Sequence, residues 1–225
     1  MFVAVCGMQR SGSTFSFNIV REILKRRGGV SFAAVASTAS ILDVTQEKNL
    51  ILKNHDLDEM GVALLKVGAM KGICTIRDPF EAIESWMEVF GFSLEQSMID
   101  YGKWLTSFQA IQHDVLILRF DLIQDRPVVA IWKIARYLGF TLSPMEVLRL
   151  WRGYQKKSIS KLSNELSGGS DKTVDIGFSY YDKENFFHRR HVRLDKNIQL
   201  TPLEREQVLC QVPGLKQFCD TFFRN

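Results

Sequence analysis

Two hydrophobic rhythms alternate along the chain. Residues 2–6 (FVAVC), 49–53 (NLILK), 71–77 (KGICTIR) and 114–120 (DVLILRF) are short apolar runs. Runs of that length, bounded by glycine or polar residues, predict strands buried on both faces. Between them the apolar positions recur every three or four residues. Phe15, Ile19, Ile23 and Leu24 share one face of a helix expected over 14–27, with Gly28 and Gly29 to stop it. A second amphipathic helix is expected over 56–67, capped by Asp56. Asp78 and Pro79 occupy the favoured N-cap and N1 positions of a third.

A long helical stretch follows over about 93–112, helix-rich sequence over 125–165, and another helix from Pro202 onward. In 119–140, Ile131, Ile134, Ala135 and Leu138 fall on one helical face, which reads as core. The segment 167–185 is rich in Gly, Ser and Asp with a cluster of aromatics, and reads as a mobile loop or lid. Strands alternating with helices predict an α/β fold, a central parallel sheet with helices on both faces, within one domain over 1–225.

Composition adds little to this until charge is considered. A net charge of +4 suits an anionic small ligand and excludes the dense basic stripe of a nucleic-acid binder. Cys6 and Cys74 lie inside the apolar runs and read as core residues. Cys210 and Cys219 are close enough in sequence to bridge, but nothing marks a secreted chain. No segment reaches the length of a membrane span, so a soluble, cytoplasmic, reduced protein is expected. No metal site is evident. Lys25, Arg26 and Arg27 close a helix, where cations complement the dipole, and read as solvated.

The candidate chemistry starts at residues 7–14, GMQRSGST. Gly7, Gly12 and Thr14 match the phosphate-loop pattern G-x-x-x-x-G-K-[ST], but Ser13 stands where the lysine belongs. The context, strand then glycine-flanked loop then helix, is that of an anion site at a helix N-terminus. In a nucleoside triphosphatase the missing lysine reaches the β- and γ-phosphates, so its absence points to a ligand without that tail. Arg10 would supply the charge, flanked by the hydroxyls of Ser11, Ser13 and Thr14.

Residues 9–15, QRSGSTF, resemble the 5′-phosphosulfate loop of sulfotransferases that use 3′-phosphoadenosine 5′-phosphosulfate (PAPS). Phe15 stands where that family often has a tryptophan near the adenine. Residues 77–85, RDPFEAIES, resemble the family's 3′-phosphate site, an Arg at a strand end followed eight residues later by a Ser, here Arg77 and Ser85. A phosphomonoester needs a fixed guanidinium and a neutral hydroxyl donor. Residues 52–56, LKNHD, are similar to the family's Lys-Thr-His stretch. The resemblance implies His55 as general base and Lys53 as the cation that stabilises the leaving phosphate. Lys53 and His55 would project from one face of a strand end.

HRRHV (188–192) resembles the family's late basic segment over the 3′-phosphate. It implies Arg189 and Arg190 as further nucleotide ligands, with the usual Gly-x-Trp absent. The resemblance thus implies a sulfotransferase of phosphate-loop-like fold, with PAPS as co-substrate, no metal, and a small-molecule, glycan or lipid acceptor. Two other readings remain: a phosphoryl-transfer enzyme such as a small kinase, with Asp78 or Asp121 holding Mg²⁺, or a non-catalytic nucleotide-binding module.

Overall fold

A computed structural model describes residues 1–34, 37–41, 47–164, 173–175, 180–187 and 198–224. Five parallel strands form the central sheet: β1 (Phe2–Gly7), β2 (Val30–Ala34), β3 (Asn49–Lys53), β4 (Lys71–Ile76) and β5 (Val115–Arg119), in the order β2-β3-β1-β4-β5. The four apolar runs became β1, β3, β4 and β5. The sequence reading did not foresee β2, because VSFAA is only partly buried at the sheet edge and its apolar run is short.

Strand pleating divides the interior in two. Val3, Val5, Ile51 and Ile73 point into one cluster with the apolar face of α1 (Ser13–Lys25) and with Ile131, Ile134, Ala135 and Leu138 of α6 (Pro127–Leu138). Ala4, Cys6, Cys74 and Ile76 point into the other. There they meet α3 (Pro79–Phe90), α4 (Leu94–Ile111) and the C-terminal helices α9 (Pro202–Gln211) and α10 (Leu215–Phe222). Each fully buried Ile or Val side chain contributes on the order of 1.5–3 kcal/mol, so the sheet is stabilised from both faces.

The helix α2 (Glu59–Lys66) starts later than its sequence suggests. Asp58, not Asp56, is the N-cap: it accepts from Gly61 N at 2.9 Å and also ties down Thr38 N at 2.8 Å. Asp56 is exposed and falls in a turn before the helix. Asp78 and Pro79 do open α3, with Asp78 Oδ1 accepting from Phe80 N and Glu81 N. The helix-rich stretch after β5 resolves into α5 (Phe120–Asp125), α6, α7 (Pro144–Gly153) and α8 (Lys156–Asn164).

Part of 167–185 is ordered into a ladder in which β6 (Thr173–Asp175) pairs antiparallel with β7 (Tyr180–Asp182). Residues 183–185 form the turn that follows β7, and 167–172 and 176–179 lie outside the described residues. The basic end of α1 is exposed as expected, with Arg26 paired to Glu146 and Arg27 lying over the Phe140 ring at 4.5 Å. All four cysteines are free thiols.

The chain leaves β1 toward β2 on one side and leaves β4 toward β5 on the other. In a parallel sheet that reversal opens a crevice beyond the strand C-termini, where such folds bind ligands. The ends of β1, β3 and β4 carry the three candidate motifs.

Candidate active site

The loop between β1 and α1 is held from outside, carbonyl by carbonyl. His55 Nδ1 lies 2.8 Å from the Gly7 carbonyl, and Ser11 Oγ donates to Met8 O at 2.6 Å. Trp86 Nε1 donates to Gln9 O at 3.0 Å, and Arg77 Nη1 to Arg10 O at 3.3 Å. Four successive carbonyls therefore have side-chain donors. The conformation demands this support: Arg10 has φ 66° and Gly12 φ 91°, both left-handed. Gly7, at φ 131°, lies so close to β4 that a Cβ would fall 2.5 Å from Thr75 O. No other residue fits there. Gly12 is also the N-cap of α1, and no side chain caps that helix end, so its first-turn N–H groups face the crevice.

Ser11 is fully buried and its hydroxyl is shared with Thr75 Oγ1 at 2.6 Å and Thr75 O at 3.0 Å. Its side chain braces the loop against β4, which leaves only its backbone to face a ligand. Ser13, Thr14 and Phe15 stand on the first turn of α1 at the crevice wall.

Lys53 is the last residue of β3, and Asn54 turns the chain by folding its Oδ1 back onto His55 N at 2.7 Å and Asp56 N at 3.3 Å. Lys53 and His55 do line one cavity. The cause is this turn rather than the strand pleat invoked from sequence. A carbonyl can only accept, so His55 Nδ1 carries the proton and Nε2 presents a lone pair. Burial, and then the Lys53 charge, lower the His55 pKa to about 4, while burial lowers Lys53 to about 8.

Arg77, nearly buried at the end of β4, is fixed on three sides. Its Nε and Nη2 meet Glu81 Oε2 at 3.2 and 3.0 Å, its Nη1 meets Arg10 O, and its guanidinium lies 4.6 Å from the Phe120 ring centre. Ser85, two turns into α3, accepts from Arg10 Nε at 3.3 Å. Arg10, Arg77 and Ser85 thus form one linked group. Arg189 and Arg190 lie outside the described residues.

Two cavities meet at the loop. The first, about 470 Å³, is lined by Arg10, Gly12, Ser13, Thr14, Phe15 and Arg77, with Phe120, Trp151, Tyr154 and Phe187 as aromatic walls. The second, about 260 Å³, shares Arg10, Ser13 and Thr14 and adds Lys53 and His55, closed by Phe90, Tyr181 and Phe186. Phe186 and Phe187, consecutive in sequence, face different cavities. Sequence reasoning missed Phe120, Trp151 and Tyr154, because they come from segments read as core or helix, whereas Phe187 falls in the aromatic-rich segment 178–187 read as either pocket lining or core.

The two aspartates that a magnesium-dependent enzyme would use are engaged otherwise. Asp78 caps α3, and both carboxylate oxygens of Asp121 meet Arg119.

The fold, a five-stranded parallel sheet with helices on both faces, is that of solved sulfotransferase structures. Among solved structures, the chain is similar to mouse sulfotransferase SULT7A1 complexed with PAP. The TM-score is 0.68 at 15% identity, covering 98% of this chain and 86% of that one. It is also similar to retinol dehydratase in complex with androsterone and the inactive cofactor PAP, with TM-score 0.61, 15% identity, and 99% and 82% covered. The same protein with retinol and PAP gives 0.61 at 16% identity over the same shares. No protein-family model matches the sequence, and no curated protein matches it. Among the described residues, no helix is long and apolar enough to cross a membrane.

Proposed function

We propose that this chain is a sulfotransferase that moves the sulfuryl group of PAPS to a hydroxyl or amine acceptor. The observation that carries the reading is the meeting of the two cavities at Arg10, Ser13 and Thr14. One side offers cations and aromatic walls, and the other offers Lys53 and a His with its Nε2 unprotonated. The first cavity fits an adenosine bisphosphate in size and chemistry: flat aromatic surfaces for a base and guanidinium groups for phosphates. The second is small and would hold the acceptor group beside the sulfur.

In this reading, Arg10 and the first-turn N–H groups of α1 hold the 5′-phosphosulfate as fixed electrostatics. Arg77 and Ser85 bind the 3′-phosphate, and Phe15 borders the base. His55 Nε2 takes the acceptor proton, for which its neutral state at pH 7 is required. Lys53, protonated at neutral pH, faces the negative charge that builds on the leaving phosphate oxygen. PAPS supplies an activated sulfur: the acceptor's lone pair forms the new bond to it as the bond to the bridging phosphate oxygen breaks. The acceptor is a small molecule, or the reactive end of a glycan or lipid, that enters the second cavity. Single-domain organisation and a cytoplasmic location are consistent with this role.

The kinase reading has less support. Ser13 replaces the loop lysine, and Asp78 and Asp121 are already engaged. The test is calorimetric titration with PAP without Mg²⁺, and separately with ATP both without and with Mg²⁺. Binding of PAP but not ATP is expected. Preference for ATP with Mg²⁺ would overturn the reading.

A further inference from the structure

The turn after β7 is built with more fixed contacts than a passive wall needs. Asp182 Oδ1 accepts from Glu184 N at 2.9 Å and Asn185 N at 3.0 Å, and Phe186 N donates to Asp182 O at 2.8 Å. Two buried polar residues of α1 tether it. Asn18 Nδ2 donates to Asn185 O at 2.8 Å, and Arg21 donates to Glu184 O. The result is Phe186 in the left-handed region at φ 57°, a conformation that a bulky residue keeps only where its surroundings impose it. Its ring packs on Phe17 at 4.8 Å, Tyr181 at 5.7 Å and Phe32 at 5.9 Å, and its 9% exposure leaves it almost closed off from water. From that clamp the ring reaches the second cavity, with Lys53 Nζ 5.6 Å from its centre.

We propose that Phe186 is a positioning residue for Lys53: the tethered turn sets the aromatic ring beside the ammonium, fixing it at the cavity wall and keeping water from it. A cation at that distance from an aromatic ring is attracted by the ring quadrupole, more strongly where water is excluded. The remaining neighbours make the contact matter. The charged and titratable groups lining this cavity are Arg10 from the loop, His55 from the β3 exit and Tyr181 from β7. The α3 end brings Phe90 and the β2 end Ala34, both uncharged. No carboxylate lines the cavity among the described residues, so no salt bridge there holds Lys53 in place. That Lys53 acts in catalysis rests on the proposed sulfotransfer; the Lys53–Phe186 contact does not.

The two effects of the ring act on the Lys53 titration with opposite sign, which makes them separable. Burial lowers the Lys53 pKa to about 8, whereas the ring favours the charged form. Phe186→Leu keeps most of the apolar bulk but removes the quadrupole, so the Lys53 midpoint should fall by about half a unit to one unit. Phe186→Ala admits water, and the midpoint should rise toward the ordinary lysine value. Phe186→Tyr keeps the ring and should restore the wild-type midpoint.

The measurement is NMR titration of the full chain carrying ¹³C-labelled lysine, with the Lys53 signal assigned through Lys53→Arg. The unsubstituted chain supplies a reading that depends on no variant folding: the Lys53 ε-methylene protons should be displaced upfield by the ring current. An unshifted ε-methylene signal, or equal midpoints in the Leu and Tyr variants, would overturn the proposal. PAP titration of the unsubstituted chain is run alongside. PAP binding with an unmoved Lys53 in the Leu variant refutes the positioning role alone. A moved Lys53 without PAP binding refutes the sulfotransferase reading alone.

Discussion

His55 combines two features that its sequence motif does not show. The Gly7 carbonyl favours the proton on Nδ1, which leaves Nε2 as the basic nitrogen of the ring. Burial and the neighbouring ammonium then keep the ring neutral far below its ordinary range, with a pKa of about 4. If His55 is the base, His55→Ala should reduce turnover by about 10²- to 10⁴-fold and leave PAP affinity within about twofold. A rate equal to wild type in that variant would remove His55 from the mechanism. The pH profile follows from the same geometry. In the proposed mechanism His55 acts neutral and Lys53 charged, so activity should be lost as pH falls through about 4 and as pH rises through about 8, with a flat top between. A stopped assay across pH 4.5 to 9.5 would reveal an acid limb near 6.5 instead, if the His were solvated. Stability carries the same sign. The folded His55 pKa lies below the unfolded value, so between about 4 and 6.5 the unfolded chain binds more protons. The contribution is present above 6.5 and is lost as pH falls toward 4.

Among the elements, what could be read from sequence depended on whether a local pattern or a distant partner decides the outcome. The buried strands β1, β3, β4 and β5 were legible because a run of apolar residues between polar ends has few other uses, and the α6 face was legible from its spacing. The start of α2 was not. The sequence reading placed the cap at Asp56, whereas the cap is Asp58, to whose carboxylate Thr38, 20 residues earlier, also donates. The β2 edge was missed because its burial depends on α1 and the 182–187 turn, and Phe120, Trp151 and Tyr154 because they come from α5 and the end of α7, distant in sequence from the loop they face. The bond between Ser11 Oγ and Thr75 Oγ1 was not legible either, because the partner lies 64 residues away on β4. The α2 cap gives a direct check. Asp58→Ala should destabilise the chain by about 1–2 kcal/mol, as typical for a lost N-cap, and lower the Tm by a few degrees. Asp56→Ala should leave the Tm nearly unchanged, since Asp56 does not cap the helix. A loss in Asp56→Ala with none in Asp58→Ala would return the cap to Asp56.

At the scale of the whole molecule, the sheet order brings Arg10, His55 and Arg77 to one crevice, with β1 between β3 and β4 supplying the loop that both neighbours grip. Arg77 shows what this interdependence costs an experiment. It is proposed to bind the 3′-phosphate, yet it already donates to Arg10 O and so supports the left-handed loop residue. Arg77→Ala should therefore act twice, lowering the Tm of the ligand-free chain and weakening PAP. The two effects separate in a thermal-shift series. For the unsubstituted chain, PAP at about 100 times its Kd adds about 2.7 kcal/mol by mass action, or roughly 5–11 °C for a chain of this size. Arg77→Ala should start lower and gain little from PAP at the same concentration. Glu81→Gln loosens the grip on Nε and Nη2 but leaves Nη1 on the loop, so it should move the starting Tm less than Arg77→Ala does. If Arg77→Ala starts lower but keeps the full PAP-induced shift, Arg77 is a brace only, and the 3′-phosphate must be held by another group. The strand-end position that suggested the ligand role would then reflect the loop's need for a donor at its carbonyl side.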